Sequence, residues 1–421
     1  MIKIDKFTSL TGLTRLEKII GQRRNSQTKN IPIVSKIIKE VRKNKIGAVI
    51  KYERKFSNNT KIKPSKKEIT EVIKSLEPKI KKSIDFAYNR IFKYHMHQKP
   101  KNIYVKDKLN NKLSYKSIPI SKVGVYVPSN LPSTLMMNAI PAKIAGVKKI
   151  ILTSPRLNGK LNAAVLYAAK KIGIKDIYSI GGAQAIASLA YVQKVDKIIG
   201  PGNLYVAKAK KEVFGDVGIE GMIAGPSEIT VVADKNSNIN SVITSMIGQA
   251  EHDVNSQSIV ISKNLDLLKK VKKSLSFYLK NLPRKKIAKK SLNKNGLLIF
   301  APNDKNVIDL VNIIAPEHLE LNIKNPKRYL DKIFNAGSIC IGKYSAMAVT
   351  DYNAGTNHVL PTMGSARFSS GLNVRDFYKK ISYINLSKKG IEVIGKQAIT
   401  LAEYENLEGH AQSIRSRIRR N

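Results

Sequence analysis

Val123-Gly124-Val125-Tyr126-Val127 is the first of a series of short apolar runs, and its reading decides the fold class. Three more runs follow, at Ile150-Ile151-Leu152, Ile177-Tyr178-Ser179-Ile180 and Ile198-Ile199, and the stretches between them, such as Ala163 to Ile172, are long enough for crossover helices. Continuously apolar strands alternating with helices are the sequence form of a parallel sheet buried on both faces. A second array repeats the pattern with Ile229-Thr230-Val231-Val232, Ile259-Val260-Ile261, Leu297-Leu298-Ile299-Phe300 and Ile339-Cys340-Ile341, separated by helical stretches around Val242 to Ile247 and Leu265 to Leu279. Two α/β domains are expected, with a boundary near Ala224-Gly225-Pro226.

Outward from these arrays the pattern changes. Before them, Ile33-Val34, Ile37-Ile38 and Val41 recur at helical spacing in a lysine-rich stretch that shows no chemistry until His95. After Gly371 the chain is charged and reads as helical to Asn421, too short for a core of its own.

A chain of 421 residues with 42% apolar content can bury a large core. Its net charge of +45 would by itself suggest nucleic acid or an anionic membrane. The lysines, however, are spread in runs such as Lys148-Lys149, Lys170-Lys171, Lys269-Lys270 and Lys285-Lys286, with no basic tail and no aromatic platform, which favours a solvated surface. The single Cys340 excludes an internal disulfide framework and any multi-cysteine metal site. Met1-Ile2-Lys3-Ile4-Asp5 starts no signal peptide, and no apolar run reaches about eighteen residues. A soluble cytoplasmic protein is expected, with no membrane partner and no specific nucleic acid.

Only six histidines occur, and four stand near acids. They lie in Gln249-Ala250-Glu251-His252-Asp253, in Ala315-Pro316-Glu317-His318-Leu319-Glu320, in the stretch from Glu405 to His410, and in Asp351-Tyr352-Asn353-Ala354-Gly355-Thr356-Asn357-His358. Gln249 and His252 are three apart, so on a helix or its last turn they project from one face and can share an ion. Asp351 and His410 are candidates for further ligands, and a mixed oxygen and nitrogen set suits an open zinc site. Spacing alone leaves open that His252 caps a helix and Asp351 starts a turn. Glu317 and His318 are adjacent: on a strand they would face opposite ways, on a turn they could converge, and histidine has the pKa that proton transfer from an alcohol needs. The loops Gly181-Gly182-Ala183-Gln184 and Gly200-Pro201-Gly202-Asn203 each follow a strand and open a helix, where ligands collect in an open sheet, although tight turns use glycine equally.

Taken in order, these blocks resemble the histidinol dehydrogenase family. The matching stretches include Pro141 to Val147, Gly181 to Ala187, Val195 to Asn203, Ala224 to Glu228, Gln249 to Asp253, Ala315 to Leu321, Asn335 to Ser338 and Gly364 to Leu372, with Tyr94-His95-Met96-His97-Gln98 similar to an aromatic-His-x-x-Gln element. The resemblance implies zinc held by Gln249, His252, Asp351 and His410, which also contact substrate, and a catalytic pair Glu317 and His318. It implies that Ser227, His358 and Glu405, with His318, hold the substrate, and that Tyr126, Gln184 and Asn203 meet NAD. It further implies oxidation of histidinol through histidinal to histidine in a homodimer whose C-terminal segment completes the partner's site. The chain departs from the family pattern in shorter loops after Pro128 and after Tyr191, and in Ser345-Ala346, Thr350, Thr356, Asn406 and Gly409. A related enzyme acting on another alcohol, such as a sulfonated diol, and a non-catalytic basic nucleic-acid-binding protein are the alternatives.

The expected fold is therefore α/β, with two Rossmann-like parallel-sheet domains and helical N-terminal and C-terminal extensions. Expected boundaries are 1–20 for the N-terminal extension, 21–122 with 228–372 for a discontinuous domain bearing the catalytic and zinc residues, 123–227 for the domain with the cofactor loops, and 373–421 for the C-terminal helical segment.

Overall fold

The structure, a computed structural model, describes residues 2–7, 9–25, 31–220 and 225–418. Ala224 of the expected domain boundary and the last three residues of the C-terminal segment lie outside them.

The strands among the described residues are β1 (Lys3–Asp5), β2 (Ile103–Lys106), β3 (Lys112–Pro119), β4 (Lys122–Tyr126), β5 (Lys149–Thr153), β6 (Asp176–Tyr178), β7 (Lys197–Ile199), β8 (Gly218–Ile219), β9 (Glu228–Ala233), β10 (Gln257–Ser262), β11 (Leu297–Phe300), β12 (His318–Asn322), β13 (Ser338–Ile341) and β14 (Tyr378–Asn385). Two wholly parallel sheets hold the cores, one in the order β6-β5-β4-β7-β8 and one in the order β1-β11-β10-β9-β12-β13. All eight apolar runs fall on strands of these two sheets, as their burial on both faces requires.

In the six-stranded sheet, alternate residues serve opposite faces. Ile229, Val231, Val260 and Leu298 pack with helices Ile239–Ala250 and Leu265–Leu279, while Val232, Ile259, Ile299 and Leu319 pack with Phe7, Leu16, Val307 and Leu310. In the five-stranded sheet Val123, Val125, Leu152 and Ile199 face helices Pro78–Met96, Pro132–Ala145 and Ala163–Ile172. Tyr126, Ile151 and Ile198 face helices Pro32–Ser57 and Leu204–Val213.

Three features differ from the sequence reading. The helices between residues 32 and 96 cover the two faces of the five-stranded sheet, whereas the expected boundaries group 21–122 with the six-stranded one. An amphipathic stripe shows that a helix needs a core without showing which core. The N-terminal extension is not purely helical: β1 forms an edge strand beside β11, and Leu16 and Ile20 of helix Leu10–Asn25 enter the core. The C-terminal segment also contains a strand, since β14 pairs antiparallel with β3 from Tyr378↔Pro119 to Asn385↔Lys112 in a sheet of order β14-β3-β2. Only beyond β14 do two helices, Lys388–Tyr404 and Glu408–Ile418, fold back on each other.

Candidate active site

His318 is the first residue of β12 and Glu228 the first of β9, and these neighbouring strands diverge in their connections: β9 leads through helix Ile239–Ala250 to β10 on one side, while β12 lies on the other. The polar pair therefore sits at the amino edge of the six-stranded sheet, at its switch point. Residues at the carboxyl edge are the usual ligand binders in such sheets, so this edge is the less expected one. The helix from β9 to β10 runs back across the sheet, which returns Gln249, on its last turn, to the same edge.

The turn into β12 is tightly made. Helix Asp304–Ile314 ends at Ala315, whose left-handed backbone (φ 47°) is uncommon for a residue with a Cβ and turns the chain into Pro316 and Glu317. Because Glu317 lies in this turn and His318 on the strand, the two side chains converge: Glu317 Oε2 lies 3.5 Å from His318 Nδ1. The same carboxylate oxygen accepts the Glu228 backbone N–H at 2.7 Å, and His318 Nδ1 lies 3.2 Å from the Glu228 carbonyl oxygen. With acceptors on that side, Nδ1 carries a hydrogen, and Nε2 is the nitrogen at which the titrating proton is gained or lost.

His318 is 3% exposed and Glu317 6%. Burial alone would lower the His318 pKa, but the charge and hydrogen bond of Glu317 and the charge of Asp351 outweigh it and raise the pKa to about 9. Asp351 follows the short helix Met347–Thr350, and its Oδ1 lies 3.8 Å from His318 Nε2 and 3.9 Å from His358 Nδ1. His358 donates from Nδ1 to the Asp351 backbone carbonyl at 2.9 Å, and its pKa is lowered by burial, with the Asp351 charge opposing. Ser227, half-buried, directly precedes Glu228.

Gln249 is 1% exposed, and its amide oxygen and nitrogen, like His318 Nε2, are buried without a hydrogen-bond partner among the described residues. Buried polar atoms in that state call for a ligand, a water or an ion. Among the described residues no three His, Cys, Asp or Glu side chains gather as a ready metal cage. What one chain offers is the unpartnered Gln249 amide and the Asp351 carboxylate, with His252 just past the helix end. This is an oxygen-rich partial set compatible with a divalent cation that takes its remaining ligands elsewhere. His252 is exposed but stays close to Gln249, its backbone N–H bonding the Gln249 backbone carbonyl at 3.3 Å, whereas Glu405 and His410 lie exposed on the C-terminal helical hairpin.

The expected cofactor residues do share one edge, the carboxyl ends of the five-stranded sheet. Tyr126 ends β4, its hydroxyl is hydrogen-bonded to the Gly182 backbone, and its pKa is raised by burial. A Cβ on Gly200 would lie 1.9 Å from the Tyr126 carbonyl oxygen, so the Gly200 loop lies directly against β4. Asn203 caps helix Leu204–Val213, its Oδ1 accepting the Tyr205 and Val206 N–H groups, while its amide is left on an exposed side chain.

Several contributing residues were not assigned from sequence. Glu53, fully buried on helix Pro32–Ser57, accepts the Gly181 N–H and the Gln184 Nε2–H, each at 2.8 Å, beneath the loop from Gly181 to Gln184. His95 is a structural residue: it is buried, Nδ1 bonds the Ile91 carbonyl and Nε2 meets Asn357 Nδ2, next to His358. Gln98 accepts the Val374 N–H. A lone buried carboxylate in a lysine-rich helix carries no spacing signal that could have revealed Glu53.

The sequence profile of the histidinol dehydrogenase family matches residues 21–418. A histidinol dehydrogenase of Pelagibacter ubique is 58% identical over 412 residues, covering 96% of each chain, and one of Bacillus cereus is 42% identical over 393 residues, covering 91% of each. The crystal structure of histidinol dehydrogenase from Elizabethkingia anophelis superposes with a TM-score of 0.91 at 34% identity, covering 99% of this chain and 98% of that one.

Proposed function

This chain belongs to the histidinol dehydrogenase family, and from that premise we propose that it oxidises L-histidinol through L-histidinal to L-histidine with two NAD, as a cytoplasmic biosynthetic enzyme. The observation that carries the reading is the buried Glu317 and His318 pair at the same sheet edge as the Gln249 amide, whose polar atoms make no hydrogen bond among the described residues. When bound, zinc supplies a Lewis acid that fixes the amino alcohol, and NAD supplies the hydride acceptor for each oxidation. Gln249, His252 and Asp351, with His410 of a second subunit, are the proposed ligands.

His318 Nε2, which makes no hydrogen bond among the described residues, takes the hydroxyl proton as the carbinol hydrogen departs as hydride. Positive charge bound at Asp351 would offset one of the two anions that favour the imidazolium, bringing His318 back towards the range of a general base. Glu317 takes a proton from the water that adds to the aldehyde, and the protonated His318 returns its proton to the aldehyde oxygen, which gives a neutral hydrate beside a neutral imidazole. The neutral His318 then takes a hydroxyl proton from the hydrate as the second hydride leaves, the carboxylic acid formed ionises to the carboxylate, and Glu317 and His318 release their protons to solvent. Burial of the pair keeps bulk water from the aldehyde. Ser227, His358 and Glu405 are assigned to substrate, and Tyr126, Gln184 and Asn203 to NAD.

A homodimer accounts for the exposed positions of Glu405 and His410, which in this reading enter the partner's site. Supporting it, the β14-β3-β2 sheet and the helical hairpin expose Tyr104, Ile384, Leu401 and Tyr404, an apolar surface of the kind that marks an interface. No helix among the described residues is long and apolar enough to cross a membrane.

The test is to strip metal with a chelator, assay NADH formation from histidinol, restore zinc, and run a sulfonated diol in parallel. Loss and recovery of activity with histidinol alone supports the reading. Chelator-resistant turnover, or preference for the diol, overturns it.

A further inference from the structure

Glu320 is a buried carboxylate that the chemistry above leaves without a role. It lies on β12 two residues after His318, so both side chains project from the same face of the strand, and it is 4% exposed. Oε1 accepts the Met347 backbone N–H at 2.6 Å, and Oε2 accepts the Ser245 hydroxyl at 2.9 Å. Met347 opens the short helix that ends immediately before Asp351. Ser245 sits one helical turn before Gln249 on helix Ile239–Ala250, on the same side of that helix. One carboxylate thus ties together the strand bearing His318, the helix bearing Gln249 and the turn bearing Asp351. The Gln249 amide makes no hydrogen bond of its own among the described residues, so its aim depends on where its helix is held. An apolar side chain would fill a central strand position without the desolvation that a carboxylate suffers, so stability alone is a poor reason for glutamate here.

We propose that Glu320 is a positioning residue for the metal site, clamping the Gln249 helix and the Asp351 turn at the spacing a shared cation needs. The inference rests on the reading that Gln249 and Asp351 bind zinc. Residues that orient metal ligands typically contribute 10-fold to 100-fold in affinity.

The experiment measures zinc affinity of the full-length protein by competition with a chromogenic chelator, without any turnover, alongside the melting temperature of the metal-free form. Glu320→Ala should weaken zinc binding by about 10-fold to 100-fold, and Ser245→Ala, which removes one arm of the clamp, by several-fold. Glu320→Gln keeps an acceptor for the Met347 N–H and should recover much of the loss. A purely structural glutamate would lower the melting temperature while leaving zinc affinity within about twofold of wild type, and that result overturns the proposal. If Glu320→Ala does not fold, unchanged zinc affinity in Ser245→Ala overturns it equally. Failure of the wild-type protein itself to bind zinc would instead remove the zinc reading, and this inference with it.

Discussion

Replacing Gly200 by alanine tests how the loop after β7 is seated against β4, the junction that forms the proposed NAD crevice. Gly200 has φ +105°, and its Cβ would lie 1.9 Å from the Tyr126 carbonyl oxygen, where real Cβ contacts essentially never fall under 3.0 Å. The loop and the strand must therefore separate by about an ångström or more. Gly215 is a built-in control, with φ +102° and nothing within 4 Å of its would-be Cβ. Gly215→Ala should show the cost of left-handed backbone alone, about 1–2 kcal/mol. Gly200→Ala adds steric overlap in a packed region, for a total of about 3–5 kcal/mol. Urea denaturation followed by circular dichroism reads stability, and calorimetric titration of NAD reads the site. NAD affinity should fall at least about tenfold in Gly200→Ala, because the displacement parts Tyr126 from Asn203, and should hold in Gly215→Ala. Equal destabilisation at the two positions, or unchanged NAD affinity in Gly200→Ala, would refute the reasoning.

Asp376 offers a pH test. Burial raises its pKa to about 6, with Glu220 adding and the Asn373 N–H and Lys197 opposing. A folded-state pKa above the ordinary 3.8 means that the stability from protonation is full below about pH 4 and lost as pH rises through 6. The two-unit gap would correspond to about 3 kcal/mol, which partial exposure reduces to roughly 1–2 kcal/mol. Asp376→Asn keeps an acceptor for the Asn373 N–H, so its denaturation midpoint should exceed wild type at neutral pH and match it near pH 4; identical pH profiles would contradict this. At the catalytic pair, His318→Ala should slow oxidation of both histidinol and histidinal by roughly a hundredfold or more. Glu317→Gln should retain more of the first oxidation than of the second, and equal losses on the two substrates would point to Glu317 as an orienting group for His318. For the dimer, mixing inactive His410→Ala with inactive His318→Ala subunits should restore some activity through one intact site per hybrid, and no recovery despite subunit exchange would count against a shared site.

The parallel strands were legible because full burial writes an apolar run that survives a lysine-rich composition. Tyr378-Lys379-Lys380-Ile381-Ser382-Tyr383-Ile384-Asn385 was not, because β14 is largely exposed and its lysines suit a charged helix as well as a strand. The site blocks around Gln249, Glu317 and Asp351 stood out through sparing use of histidine and through family resemblance. Convergence of Glu317 and His318 depended on the Ala315 turn, which no periodicity encodes. Glu53 and Glu320 act through backbone groups far away in sequence, the Gly181 N–H and the Met347 N–H, and such contacts exist only once the chain is folded.

The most direct test of the account is to count NADH formed per histidinol consumed, in wild type and in His318→Ala, with histidine measured as product. Two NADH and one histidine per histidinol in wild type, with turnover nearly abolished in the variant, is the predicted result. A single NADH with accumulating aldehyde, or undiminished turnover without His318, would contradict a double oxidation carried by this pair.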